Sequence, residues 1–116
     1  MREIHYRPRA KFDMESIAIY LGEVCRNPGA ARSTYESIKS AVQNLAAMPT
    51  LGRPFVDETL VRRAYRSWLV GSYRVFYSFD DRMLTVWRVI HNRQDIDDFA
   101  FIEWKWEEEG EVDAED

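Results

Sequence analysis

Arg74, His91 and Arg93 are the residues of this chain best suited to phosphate and proton chemistry. A guanidinium can clamp a phosphate through paired hydrogen bonds. An imidazole, with an ordinary pKa of about 6.5, can exchange a proton with a 2′-hydroxyl or a leaving oxygen at neutral pH. Each residue also has a plainer reading. Arg74 would pair with an acid on a neighbouring strand, Arg93 with Asp95 two residues on, and His91 would cap the end of a strand. Further arginines recur nearby at 62, 63, 66 and 88. Of these, Arg62, Arg66 and Arg88, together with Trp104 and Trp106 set among acids, form the expected partner-binding set. Tryptophans exposed in this way commonly anchor partners.

Other chemistries lack their residues. Two histidines 86 positions apart and one cysteine give no metal-ligand spacing. Five scattered glycines form no phosphate-cradling loop. No cofactor or metal is expected. Cys25 falls on the apolar stripe of a helix, where core packing is its expected role.

The elements that position these residues are legible from periodicity. From Leu60 to Arg93 the chain reads as three antiparallel strands. Tyr73, Val75, Tyr77 and Phe79 alternate with Ser72, Arg74, Phe76 and Ser78, and Leu84, Val86, Arg88 and Ile90 alternate with Met83, Thr85, Trp87 and Val89. Asp80-Asp81-Arg82 suits a hairpin loop between them, and Val61 to Val70, closed by Gly71, supplies the preceding strand. In this pattern Arg74 lies opposite the apolar side assigned to the core. Upstream, residues 3–7 form a short strand. Pro8 opens a helix with Ala10, Met14, Ile17, Leu21 and Val24 on one stripe. Asn27 caps a second helix from Pro28, with Ala31, Tyr35, Ile38, Val42 and Leu45 on one face. Met48 to Thr59, with two prolines and a glycine, reads as a crossing loop, and Asp95 starts a short C-terminal helix. The expected class is α+β, with an antiparallel helical hairpin covering one side of the sheet.

A chain of 116 residues, 46% hydrophobic, fits one domain with one core, here set at residues 1–102. The net charge of −4 conceals an uneven distribution. Residues 103–116 hold eight acids and one base, net −7, whereas the first 102 hold twelve acids and fifteen bases, net +3. The acidic tail reads as a solvated end, or as a competitor for the chain's own arginine face. No stretch has the roughly 20 apolar residues of a membrane span, and the charged N-terminus lacks a signal core, so the expected location is cytoplasmic.

Four stretches resemble the RelE/ParE superfamily of type II toxins: Met48-Pro49-x-Leu51-Gly52-Arg53-Pro54, Val70-Gly71-x-Tyr73-Arg74-Val75-Phe76-Tyr77, Val86-x-Arg88-Val89-Ile90-His91, and Asn92-Arg93-Gln94-Asp95. The resemblance covers roughly residues 3–97 and implies a toxin neutralised by a cognate antitoxin in a hetero-oligomer. RelE-like members cleave ribosome-bound mRNA without a metal, and there Arg74 and Arg93 would hold phosphate with His91 as acid/base. ParE-like members inhibit DNA gyrase. Where the nucleases carry an aromatic hydroxyl after the second arginine, this chain has Phe99 and Phe101, which move no proton. Lysines are few, and a body of net +3 is weakly cationic for a ribosome ligand. ParE-like target binding is therefore the expected activity, with the nuclease and a non-toxic interaction module as alternatives.

Overall fold

The computed structural model describes residues 1–55 and 65–92. The chain begins with β1 (Glu3–Tyr6) and α1 (Pro8–Ile19), which a π-helical turn, Tyr20–Val24, extends. After α2 (Pro28–Ala47) comes a single 3-10 turn at Pro49–Leu51. The strands β2 (Arg53–Phe55), β3 (Tyr65–Val70), β4 (Tyr73–Phe79) and β5 (Met83–His91) follow. They build one five-stranded sheet in the order β1-β5-β4-β3-β2. The β2–β3, β3–β4 and β4–β5 pairs are antiparallel, whereas β1 runs parallel to β5. The helical hairpin supplies the crossover that a parallel pair needs.

Local chemistry explains the joints. Pro8 sits at the first turn of α1, where its missing N–H costs no hydrogen bond. The Asn27 side chain accepts from Ala30 N at 3.1 Å and caps α2. Gly71, at φ 58°, makes the tight turn between the paired residues Val70 and Tyr73. At the next hairpin Asp80 Oδ1 accepts from the backbone N–H groups of Arg82 and Met83, both at 2.8 Å.

The core lies between the helices and one face of the sheet. Ala10 and Met14 of α1 and Ile38, Val42, Leu45 and Ala46 of α2 pack on Val75, Tyr77, Leu84, Val86 and Val89. The expected helical hairpin over a meander is therefore present, and three details differ. First, the stripe of α1 ends early: Val24 is 66% exposed and Cys25 is exposed, not core. In the π-turn Cys25 N bonds Tyr20 O at 2.9 Å, and each residue advances less around the axis, so both side chains leave the stripe. Second, the crossing loop contains a strand. β2 is a three-residue edge strand, and an edge is where Pro54 is tolerated. Third, β5 is bulged. Tyr77 pairs with Val86 but Phe76 pairs with Arg88, leaving Trp87 as the extra residue. The alternation read from Leu84 to Ile90 thus breaks at Trp87, and Val89, not Arg88, continues the core side set by Leu84 and Val86. The expected C-terminal helix and the acidic tail lie outside the described residues.

Candidate functional site

The expected site residues divide between the two faces of the sheet. Arg74 follows Tyr73 in β4 and projects away from the helices. Its Nη1 donates to Ser67 Oγ at 3.1 Å, and Leu69 and Ile90 are its cross-strand neighbours. His91, the last residue of β5, pairs with Tyr73, whose ring packs on the helix-side core. The two rings meet edge to face, 5.3 Å between centroids. Burial raises the Tyr73 hydroxyl pKa, keeping it protonated at neutral pH. Adjacent strand residues face opposite sides, so Arg74 and His91 present their functional groups to different faces of the sheet. Arg93, the third member of the expected catalytic set, lies outside the described residues, as do Arg62, Trp104 and Trp106 of the partner-binding set.

The two remaining arginines have structural duties. Arg66 Nη1 donates to Gly52 O at 2.7 Å and lies 3.5 Å from Thr50 O. It works with Tyr77, whose hydroxyl donates to Pro49 O at 2.7 Å and accepts from Gly52 N at 2.9 Å. Burial raises the Tyr77 pKa, partly offset by the Gly52 hydrogen bond and the Arg66 charge. A Cβ at Gly52 would collide with the Tyr77 hydroxyl and stand 2.7 Å from the Ser67 carbonyl oxygen, so only glycine fits. Two sequence stretches that were separate signals, Leu51-Gly52-Arg53-Pro54 and Tyr73–Tyr77, are thus one physical contact.

Arg88 corrects an expectation. It is 7% exposed, and its Nε and Nη2 donate to Asp13 Oδ2 and Oδ1 at 2.8 and 3.2 Å. The same Asp13 oxygen accepts from Val89 N at 2.9 Å. β1 ends opposite Val86; beyond it no strand among the described residues pairs with that edge of β5, and Asp13 supplies the acceptor. Committed to α1 in this way, Arg88 is not a cation offered on an open face. The sequence reading passed over Asp13, although a carboxylate three residues after Ala10 and next to Met14 sits on the buried stripe of α1 and calls for a partner.

Among the expected site residues that are described, this geometry leaves one phosphate-class cation, Arg74, half-buried beside neutral Ser67, with no proton-transfer group of that set on its face. Such an arrangement suits recognition of an anionic group better than its cleavage.

The family model for the ParE toxin of the type II toxin–antitoxin system parDE matches residues 4–96. The chain belongs to the ParE toxin family. Solved structures agree on the fold. A chain of the chromosomal ParDE toxin–antitoxin system from P. aeruginosa superimposes with a TM-score of 0.64 at 17% identity, covering 78% of this chain and 96% of that one. A chain of the RelBE2 toxin–antitoxin complex from Mycobacterium tuberculosis gives 0.53 at 20% identity, with the same two coverages. No curated protein sequence matches. The ParE match begins in β1 and ends four residues past Asn92, so it includes every described element and excludes residues 97–116. Among the described residues of this ParE-type chain, no helix is long and apolar enough to cross a membrane.

Proposed function

We propose that this ParE-type toxin arrests bacterial growth by binding a macromolecular target, DNA gyrase being the family's precedent, and that a cognate antitoxin neutralises it in a hetero-oligomer. The observation that carries the reading is the separation of Arg74 from His91. General acid/base catalysis needs the proton-transfer group within hydrogen-bond reach of the reacting atom, and a phosphate held by Arg74 would lie across the sheet from the imidazole. Both structural relatives come from toxin–antitoxin pairs, which supports the antitoxin as partner.

The test is controlled expression of the wild type and of Arg74→Ala in a bacterial host, scoring growth, plasmid supercoiling and mRNA 5′ ends together. Arrest with altered supercoiling and intact mRNA is the expected result. Arrest with new in-frame mRNA ends, lost in Arg74→Ala, would make the protein a ribosome-dependent nuclease. Absence of arrest at confirmed expression would leave a non-toxic interaction module. Either of the last two outcomes overturns the proposal.

A further inference from the structure

A pocket of about 230 Å³ opens on the helix side of the sheet, where β1, α1 and α2 meet. Tyr6, the last residue of β1, forms one wall. Lys11, Met14 and Glu15 line it from one face of α1, and Tyr35 and Lys39, one turn apart, line it from α2. Met14 is buried at its base, whereas Lys11 and Glu15 stand exposed at its rim.

The polar groups gathered here are mostly donors. The Lys39 ammonium lies 4.7 Å from the Tyr6 ring centroid and 5.7 Å from that of Tyr35, a cation held against two rings. Lys11 brings a second ammonium to the rim. Burial first, then Tyr35, raises the Tyr6 pKa to about 12, so its hydroxyl is a donor at neutral pH. Tyr35 adds another hydroxyl. Among the described residues neither lysine has a carboxylate at ion-pairing distance, Glu15 included, and neither hydroxyl has a hydrogen-bond partner. Two cations and two hydroxyls thus face a single acid.

The walls narrow the choice of ligand. The faces of Tyr6 and Tyr35 and the Met14 side chain offer apolar contact that a bare inorganic ion leaves unused. The volume falls below the roughly 300–1,000 Å³ of drug-sized sites, so the apolar body is small.

We propose that this pocket binds a carboxylate on a short apolar stem, supplied by a free organic acid or by a glutamate of a partner segment. Lys39 and Lys11 meet its charge, the Tyr6 and Tyr35 hydroxyls donate to its oxygens, and the two rings and Met14 hold the stem. Arg74 projects from the opposite face of the sheet. The pocket is therefore a second anion site, and it does not rest on which target the toxin binds.

The experiment is an amide NMR titration of the full chain with three probes: phenylacetate, a blocked alanine pentapeptide with one central glutamate, and inorganic phosphate. At least one carboxylate should shift the amides of Tyr6, Lys11, Tyr35 and Lys39 saturably, with a Kd on the order of 1 mM. Tighter binding of phenylacetate marks a free acid as the ligand, and tighter binding of the peptide marks a partner's side chain. Lys39→Met keeps the stem and removes the ammonium, and should weaken binding about tenfold or more. Arg32→Met, on the exposed outer side of α2, should leave it unchanged. No saturable shift with either carboxylate up to about 20 mM, well above the expected Kd, overturns the proposal. So does phosphate binding as tightly as both carboxylates, or full affinity in Lys39→Met. Should Lys39→Met fail to fold, Lys11→Met at the rim decides in its place: weakened binding supports the site, and unchanged affinity overturns it.

Discussion

The two faces of the sheet are held by different physics. On the helix side, Val75, Leu84, Val86 and Val89 meet Ala10, Met14, Ile38, Val42 and Leu45, a seam of aliphatic area with Tyr77 as its main polar member. Such burial is non-directional, at about 25 cal/mol per Å², so this side tolerates exchange among residues of similar volume. On the other side the buried residues include Tyr65, Ser67, Phe76, Ser78, Thr85, Trp87, Arg88 and Ile90, mostly aromatic or polar. Here nearly every ring or cation is fixed by a directional contact: Trp87 to Ser78, Arg74 to Ser67, Arg88 to Asp13. The first face specifies the fold, and the second specifies where a charge can stand.

Removing a directional contact should cost more than trimming aliphatic area. Asp13→Ala deletes the acceptor of three donors, Arg88 Nε, Arg88 Nη2 and Val89 N. It leaves a buried guanidinium uncompensated, and we expect a loss of about 3–5 kcal/mol in urea-unfolding free energy. The double change Asp13→Leu with Arg88→Met should recover most of that loss, because it removes the buried charge together with its partner. A single variant that melts like the wild type would mean that the ion pair is not formed in solution.

The sequence showed the helix-side face well and the other face poorly, for identifiable reasons. Period-4 stripes and period-2 alternation report burial against a single neighbour, and they located α1, α2, β3, β4 and β5. They also put Arg74 opposite the core. Periodicity fails where geometry departs from it. The bulge at Trp87 reverses the facing of every later residue in β5, and nothing in a run of β-branched and aromatic residues marks it. The π-turn did the same for Val24 and Cys25. Long-range pairs were equally silent: Asp13 and Arg88 are 75 residues apart, and no local rule joins them. Likewise the parallel β1–β5 pair depends on the crossover, not on either strand alone. Of the candidate site, the residue Arg74 was legible, but its separation from His91 was visible only with the fold in hand.

Tyr77 tests the polar exception on the aliphatic side. Tyr77→Phe keeps the ring and removes a hydroxyl that bridges Pro49 O and Gly52 N. With a buried N–H and carbonyl left short of a partner, we expect about 2 kcal/mol of destabilisation. Hydrogen exchange at the Gly52 amide should rise more than at the β4–β5 amides, because the loop from Pro49 to β2 depends on this hydroxyl and on Arg66. Equal acceleration throughout would show that the hydroxyl serves the whole core.

The smallest expected effect lies at the rim of the helix side, where Tyr6 of β1 is half-buried against α2. Burial first, and the neighbouring Tyr35 second, push its pKa up to about 12 from an ordinary 10. Lys39 Nζ lies 4.7 Å from the Tyr6 ring centroid, and Lys11, Met14, Glu15 and Tyr35 complete the surrounding pocket. A phenol whose folded pKa is raised stays protonated while the unfolded chain ionises. Its stabilising contribution is therefore whole below pH 10 and is lost as pH climbs from there to about 12. Solvent at this partly open site keeps the amplitude small. Tyr6→Phe removes the tyrosine's share only. Chemical unfolding followed from pH 9 to 11.5 should give a shallower fall in stability for the variant than for the wild type. Superimposable slopes would mean that Tyr6 is fully solvated and that the aliphatic seam ends before β1.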